Sequence, residues 1–362
     1  MNHHIVVIPG DGIGNEITDS AVAVLQKVAS LYHISLTFET KLAGGAPYDA
    51  CGTPLPEETI DAAERGDVVL FGAVGGDKWD HVAPSLRPEQ AVLGLRKALG
   101  LYANLRPIQV WPILGEYSPL KSSVVTGTDI LIVRELVGGI YFGNRCESES
   151  FHGVERAWDL ENYTVPEVQR IGDFAMKVAQ KRRHKVTSVD KANVLATSRL
   201  WRRTMEQIKE DYPDISLHHL YVDNCAMQLA LHPTQFDVIV TSNLFGDILS
   251  DEAAVLGGSI GMMPSASIGE KTSLYEPIHG SAPDIEGKGI ANPCAAILSA
   301  AMLLRYSLGK EEAADTVEAA VRQALEDGWR TPDLYREGLK KADTATMTDA
   351  ILRHIVVSKE SF

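Results

Sequence analysis

The chain has 362 residues, 45% of them apolar and 23% charged, which suits a soluble globular protein of about two domains. Its net charge of −14 excludes a non-specific nucleic-acid binder and a basic membrane-surface protein. No apolar run is long enough to span a bilayer, no signal-like N-terminus stands out, and four scattered cysteines form no C-x-x-C pair; a reduced, cytoplasmic protein is expected.

The first element reads as a buried strand, "HHIVVI", running through "PGDGIGN" into a helix with Ile17, Ala21, Val24, Leu25, Val28 and Leu31 on one face. Strand, glycine turn and helix form the setting of the dinucleotide fingerprint G-x-G-x-x-G, and an acid, Glu39, follows the next strand-like run. Gly10 and Gly12 fit that pattern, but Asn15 stands where a third Gly or Ala is needed. The turn is therefore expected to be structural, with any dinucleotide held elsewhere.

Further strands are expected at "SLTFET", "DVVLFGAV", "ILIV", "KVTSVD", "LHHLYV" and "FDVIV". Helices are expected to begin near Pro56, Pro88, Pro166, Ser198, Asn224, Asn243 and Pro293. This alternation predicts an α/β fold with a mostly parallel sheet. From Val137 to Thr164 the pattern breaks into a polar, glycine-rich stretch, and its aromatics Tyr141, Phe142, Phe151, Trp158 and Tyr163 predict an ordered hairpin that packs on something. Beyond Pro293 the sequence is almost all helix-forming and holds little obvious chemistry.

In "TSNLFGDILSDEAAVLGGSIGM", Asp247 and Asp251 are four residues apart, so on a helix both carboxylates share one face. Such a pair is either a solvated acidic face or part of an oxygen site for Mg²⁺ or Mn²⁺. A third acid, Asp223, starts a helix after a strand, where parallel sheets place site residues. Arg96, Arg106 and Arg134 each lie beside a turn in apolar company and so need an anion. That anion is an internal carboxylate or, for three arginines together, a dicarboxylate substrate. Lys191 ends a strand-like run where an amine near arginines can serve as a base; singly, it and Tyr141 read equally as a surface lysine and a packing tyrosine.

Taken together, "IPGDGIGNEI", "YFGNR", "DKANVL", "NLFGDILSDEAAVLGGSIGM" and "EPIHGSAPDIEGKGIANP" resemble, in order and over nearly the whole chain, the metal-dependent β-decarboxylating dehydrogenases of the isocitrate/isopropylmalate family. The resemblance implies a two-domain α/β fold with a large mixed, mostly parallel sheet, not the conventional Rossmann fold. The first domain would comprise residues 1–101 and 258–362 and hold the cofactor. The second, 102–257, would carry the metal site, the dimer interface and an arm at about 137–164.

The same resemblance implies site residues. Arg96, Arg106 and Arg134 would clamp the carboxylates of a substituted malate, and Asp223, Asp247 and Asp251 would hold one Mg²⁺ or Mn²⁺ per subunit. Lys191 would take the C2 hydroxyl proton, and Tyr141 would protonate C3 after CO₂ leaves. Cofactor contacts would come from Gly75, Gly76, Glu276, His279, Gly280, Ser281, Ala282, Asp284, Ile285 and Asn292, with the Asp284 carboxylate favouring NAD over NADP. Isocitrate-type members are expected to carry serine and asparagine on the substrate helix. Here Glu89, Val92 and Leu93 give an apolar wall, which suits an isopropyl group and would leave a third carboxylate unpaired. Val92 departs mildly from the leucine commoner there.

The implied activity is oxidative decarboxylation of 3-isopropylmalate to 2-oxoisocaproate with reduction of NAD, in leucine biosynthesis. Homoisocitrate or malate/tartrate oxidation is the runner-up, and a non-catalytic subunit or an acidic scaffold would not need the full residue set. A homodimer is implied, with Lys191 and Asp223 reaching into the neighbour's site and no nucleic-acid or membrane partner.

Overall fold

A computed structural model describes residues 2–356. The strands in chain order are β1 (Asn2–Gly10), β2 (Ser35–Thr40), β3 (Val68–Ala73), β4 (Ala103–Gln109), β5 (Asp129–Glu135), β6 (Arg145–Phe151), β7 (Val154–Asp159), β8 (Lys185–Asp190), β9 (Ser216–Tyr221), β10 (Val238–Thr241), β11 (Pro264–Ile268) and β12 (Ser273–Pro277). The chain divides into two compact units, Met1–Leu101 with Gly257–Phe362, and Tyr102–Leu256.

In the first unit the strands run β2-β1-β3-β12-β11. β1 pairs in parallel with β2 and β3, β3 with β12, and only β11 with β12 is antiparallel. β1 is an interior strand, and its Ile5, Val6, Val7 and Ile8 are apolar without alternation, as a strand covered on both faces requires. The following helix, Gly14–Leu31, buries Ile17, Ala21, Val24, Leu25 and Val28, the expected face; Leu31 is only partly covered. Helices Cys294–Tyr306 and Glu311–Glu326 belong to the same unit, and the first is buried along almost its whole length.

In the second unit the order is β4-β5-β10-β8-β9, parallel except for β4 with β5. Each unit thus builds a five-stranded, mostly parallel sheet, the mixed architecture expected. The insert forms the hairpin β6–β7, closed by His152 and Gly153, both at positive φ as a two-residue turn of this twist demands. Its side chains are largely exposed, Phe151, Val154 and Trp158 among them; within this chain only Tyr163, at its base, is buried. Among the described residues no helix is long and apolar enough to cross a membrane, and all four cysteines are free.

Candidate active site

The glycine turn after β1 lies between two loops and touches both through its backbone. Asp11 N–H donates to the Ala73 carbonyl (2.7 Å), and Ile13 N–H donates to the Ser281 carbonyl (2.8 Å). Ser281 Oγ donates to the Gly75 carbonyl (2.8 Å), closing the triangle. Gly12 is required because a Cβ there would lie 2.0 Å from the Ser281 carbonyl oxygen, at a φ of +57°. The Asp11 carboxylate is buried and accepts N–H bonds from Gly45 (2.9 Å), Ala46 (3.4 Å) and Gly75 (3.0 Å). Burial raises its pKa above the ordinary aspartate value, against the pull of those backbone donors.

This triangle floors a cavity of about 770 Å³ lined by Gly12, Gly75, Gly76, Trp79 and Asp284 among others. A pocket of that volume is of the size that takes a small-molecule cofactor. Gly280 faces open space, and Asp284 is exposed on the rim with Ile285 half-covered beside it. His279 Nδ1 lies 2.9 Å from the Gly280 carbonyl, which can only accept, so Nδ1 carries the proton; burial lowers the imidazole's pKa and keeps it neutral. Ala282 adopts a left-handed φ of +42°. Asn292 is committed internally: its Nδ2 donates to Asp333 (3.0 Å) and its Oδ1 accepts from Cys294 N–H (3.0 Å).

The helix Gln90–Ala98 turns Ala91 and Leu95 inward and leaves Glu89, Val92 and Leu93 at least partly exposed. Glu89 reaches to Gly75, where an added Cβ would stand 2.8 Å from its Oε1. Arg96 is buried and held by Glu276 (3.3 Å), so a residue expected at the substrate is braced by one expected at the cofactor. Arg96 Nε has no partner; a buried, orphaned guanidinium donor fits an anion that completes the site.

In the second unit, β4 and β5 deliver Arg106 and Arg134, both buried, to the helix Asn243–Ala254. Arg106 pairs with Asp251 (2.8 Å) and Asp247 (3.6 Å), and Arg134 pairs with Asp247. Asn104 (2.8 Å) and Ser250 (2.7 Å) complete the bonds of Arg106. Tyr141 donates to Asp247 Oδ2 (2.6 Å) and packs under Arg134, with Cζ 5.5 Å from the ring centre. Asp247 and Asp251 thus converge on one guanidinium. That places two hard oxygen donors within reach of a single cation and fits Mg²⁺ or Mn²⁺.

Lys191 and Asp223 form a separate pair: Nζ donates to Oδ1 at 2.6 Å, and this bond holds the Asp223 carboxyl below the usual aspartate range. Among the described residues no three His, Cys, Asp or Glu side chains assemble into a metal site within one chain. The single chain therefore groups Arg106, Arg134, Tyr141, Asp247 and Asp251, and keeps Lys191 with Asp223.

Residues 4–351 match the family model described as isocitrate/isopropylmalate dehydrogenase. The chain belongs to the isocitrate/isopropylmalate dehydrogenase family. It is 57% identical to the 3-isopropylmalate dehydrogenase of Clostridium pasteurianum, over 97% of this chain and 99% of that one. It is 52% identical to the 3-isopropylmalate dehydrogenase of Aquifex aeolicus, over 99% of both. Among solved structures, isocitrate dehydrogenase from Methylococcus capsulatus superposes with a TM-score of 0.87 at 38% identity, over 98% of this chain and 99% of that one. The β-decarboxylating dehydrogenase of Thermococcus kodakarensis gives 0.80 at 40% identity, over 98% and 96%.

Within this family fold, sequence reasoning passed over several supporting residues: Asp11, Asn104, Glu135, Asn243 and Asp333. Asp11 and Asn243 stand inside the quoted motifs, flanked by glycine and opening a helix. A buried-carboxylate or capping reading was available for each.

Proposed function

We propose that this family member oxidises and decarboxylates 3-isopropylmalate to 2-oxoisocaproate with reduction of NAD, the step its relatives' names indicate, in leucine biosynthesis. The observation that carries the substrate choice is the helix face on which Val92 and Leu93 lie one turn from the buried Arg96. An isopropyl group is accommodated there, whereas a third carboxylate would lose its hydration without a partner.

The guanidinium groups of Arg96, Arg106 and Arg134 bind and orient the two malate carboxylates, the orphaned Nε of Arg96 supplying a free donor. Lys191 Nζ takes the proton of the C2 hydroxyl. Tyr141, hydrogen-bonded to Asp247 and stacked under Arg134, delivers a proton to C3 after CO₂ departs. Asp247 and Asp251 with an Asp223 from a second copy would hold a divalent cation, which would supply electrostatic stabilisation of developing negative charge. Gly75, Gly76, Glu276 and the loop 279–285 would hold NAD, which would supply the hydride acceptor. Asn292, whose side chain is engaged internally, contributes through its backbone.

The working form is a homodimer with shared sites, supported by the exposed aromatic hairpin and by the separation of Lys191 and Asp223 from the other site groups. Four free cysteines and a net charge of −14 suit a cytoplasmic enzyme without nucleic-acid partners. Initial rates with 3-isopropylmalate, isocitrate, homoisocitrate and malate test the assignment. The expected result is a kcat/KM highest for 3-isopropylmalate; a preference for isocitrate or malate overturns it.

A further inference from the structure

The turn that leads to Tyr141 rests on a set of buried polar groups to which the mechanism above gives no part. Glu135, next to Arg134 at the end of β5, is fully buried. Its Oε1 accepts the N–H of Val137 (2.9 Å) and its Oε2 the N–H of Gly138 (2.8 Å). The hydroxyl of Tyr163, the one buried aromatic of the insert, lies beside the same carboxylate. That hydroxyl receives the backbone N–H of Asn243 (2.9 Å), so its own proton is directed to Glu135. Asn243 opens the aspartate helix, and its Oδ1 takes Nε (3.1 Å) and Nη2 (2.8 Å) of Arg134 while its Nδ2 donates to the Gly138 carbonyl (3.2 Å).

The bonds form a closed circuit through four segments: the end of β5, the turn that launches Tyr141, the base of the hairpin, and the first turn of the helix bearing Asp247. Among the described residues no ion pair reaches the Glu135 carboxylate; two backbone N–H groups and the neighbouring Tyr163 hydroxyl balance it, and burial raises its pKa. Burying a carboxylate is costly, and here it is borne because the carboxylate satisfies backbone N–H groups that would otherwise be buried without an acceptor. What the circuit supplies is geometry, because it ties down the backbone N–H groups of Val137, Gly138 and Asn243 together.

Resting on the roles proposed above for Tyr141, Arg134 and Asp247, we propose that Glu135 and Tyr163 are positioning residues that hold Tyr141 in register with Asp247 for proton delivery. Neither touches the reacting atoms. Gly138 and Gly139 lack side chains because Tyr163 packs against both: an added Cβ at either would come within 2.6 Å of its ring or hydroxyl. The Tyr163 ring also meets Trp201 edge-on at 5.6 Å, so Tyr163→Phe keeps the packing and removes only the hydroxyl.

The test uses full-length enzyme with metal and NAD. Tyr163→Phe, Glu135→Gln, their double variant and Tyr141→Phe are compared by single-turnover rapid quench, following NADH and 2-oxo acid separately. Tyr163→Phe and Glu135→Gln should form NADH at close to the wild-type rate while 2-oxo acid lags by about tenfold or more, the scale of a misplaced catalytic group. The double variant should be no slower than the worse single one, as members of one unit behave. Should Glu135→Gln fail to fold, Tyr163→Phe decides alone. Equal slowing of both products means a merely structural role and overturns the inference. Unaffected Tyr163→Phe beside an impaired Tyr141→Phe overturns it too, leaving the Tyr141 assignment standing. An unimpaired Tyr141→Phe overturns that assignment and this inference together.

Discussion

Lys191 Nζ donates to Asp223 Oδ1 at 2.6 Å, and neither residue is among the groups gathered around Asp247. If the pair serves a neighbouring subunit, two different defects can complement each other. Lys191→Ala and Arg106→Ala chains, each inactive alone, should give one intact site per mixed dimer. Random reassortment makes half the dimers mixed, so activity should return to about a quarter of wild type per chain. Heterodimers confirmed by mass that stay inactive would refute the shared site.

Asp247 and Asp251 both reach Arg106 on one side of their helix. Strict divalent-metal dependence is expected from these hard donors. Chelator-stripped enzyme should lose activity and regain it with Mg²⁺ or Mn²⁺. Full turnover after metal removal verified by elemental analysis would eliminate the cation from the mechanism.

Asp284 sits exposed on the rim of the cavity above the glycine turn. A carboxylate there accepts ribose hydroxyls and repels a 2′-phosphate. The ratio of kcat/KM for NAD over NADP should be on the order of a hundred or more, and Asp284→Asn should narrow it. Comparable values for both cofactors in the native enzyme would dismiss Asp284 as the discriminator.

Tyr212 donates its hydroxyl to Asp173, and burial together with that carboxylate pushes its pKa from 10.0 up to about 12. The folded pKa lies above the unfolded one. The stabilisation is therefore complete below pH 10 and is lost as pH rises from 10 to about 12. Urea midpoints of wild type and Tyr212→Phe should differ at pH 8 and converge across that window. A gap that stays constant to pH 12 would show that the hydroxyl's titration is not linked to folding.

Much of the fold was legible because its strands are covered on both faces and read as uninterrupted β-branched runs, as in β1, β5 and β10. β4, β11 and β12 were not among the expected strands. β4 carries Pro107 and three polar residues, and β11 and β12 are five-residue segments bounded by proline or rich in serine, so no period stands out. The site's arginines and aspartates announced themselves by charge in apolar surroundings. Glu135 and Tyr163 did not, because a carboxylate satisfied by two backbone N–H groups and a tyrosine 28 residues downstream has no sequence periodicity to betray it. The short strands Trp329–Arg330 and Lys340–Lys341, which interrupt the helical C-terminal region, were hidden for the same reason.

The turn at Gly10–Gly14 divides labour between what bears shape and what bears choice. Asp11 and Ile13 engage the two neighbouring loops through main-chain atoms, and Asp11 through its carboxylate as well, whereas no hydrogen bond of that bracing is made by the side chains of Asp284 and Ile285. Substitution at the rim therefore leaves the scaffold unstrained, while substitution at Gly12 drives a methyl into the Ser281 carbonyl. A lineage built this way can exchange one dinucleotide for another by a few rim changes and keep its turn unaltered. The glycines of the turn would then be a record of architecture, and the cofactor would be written in the residues beside them.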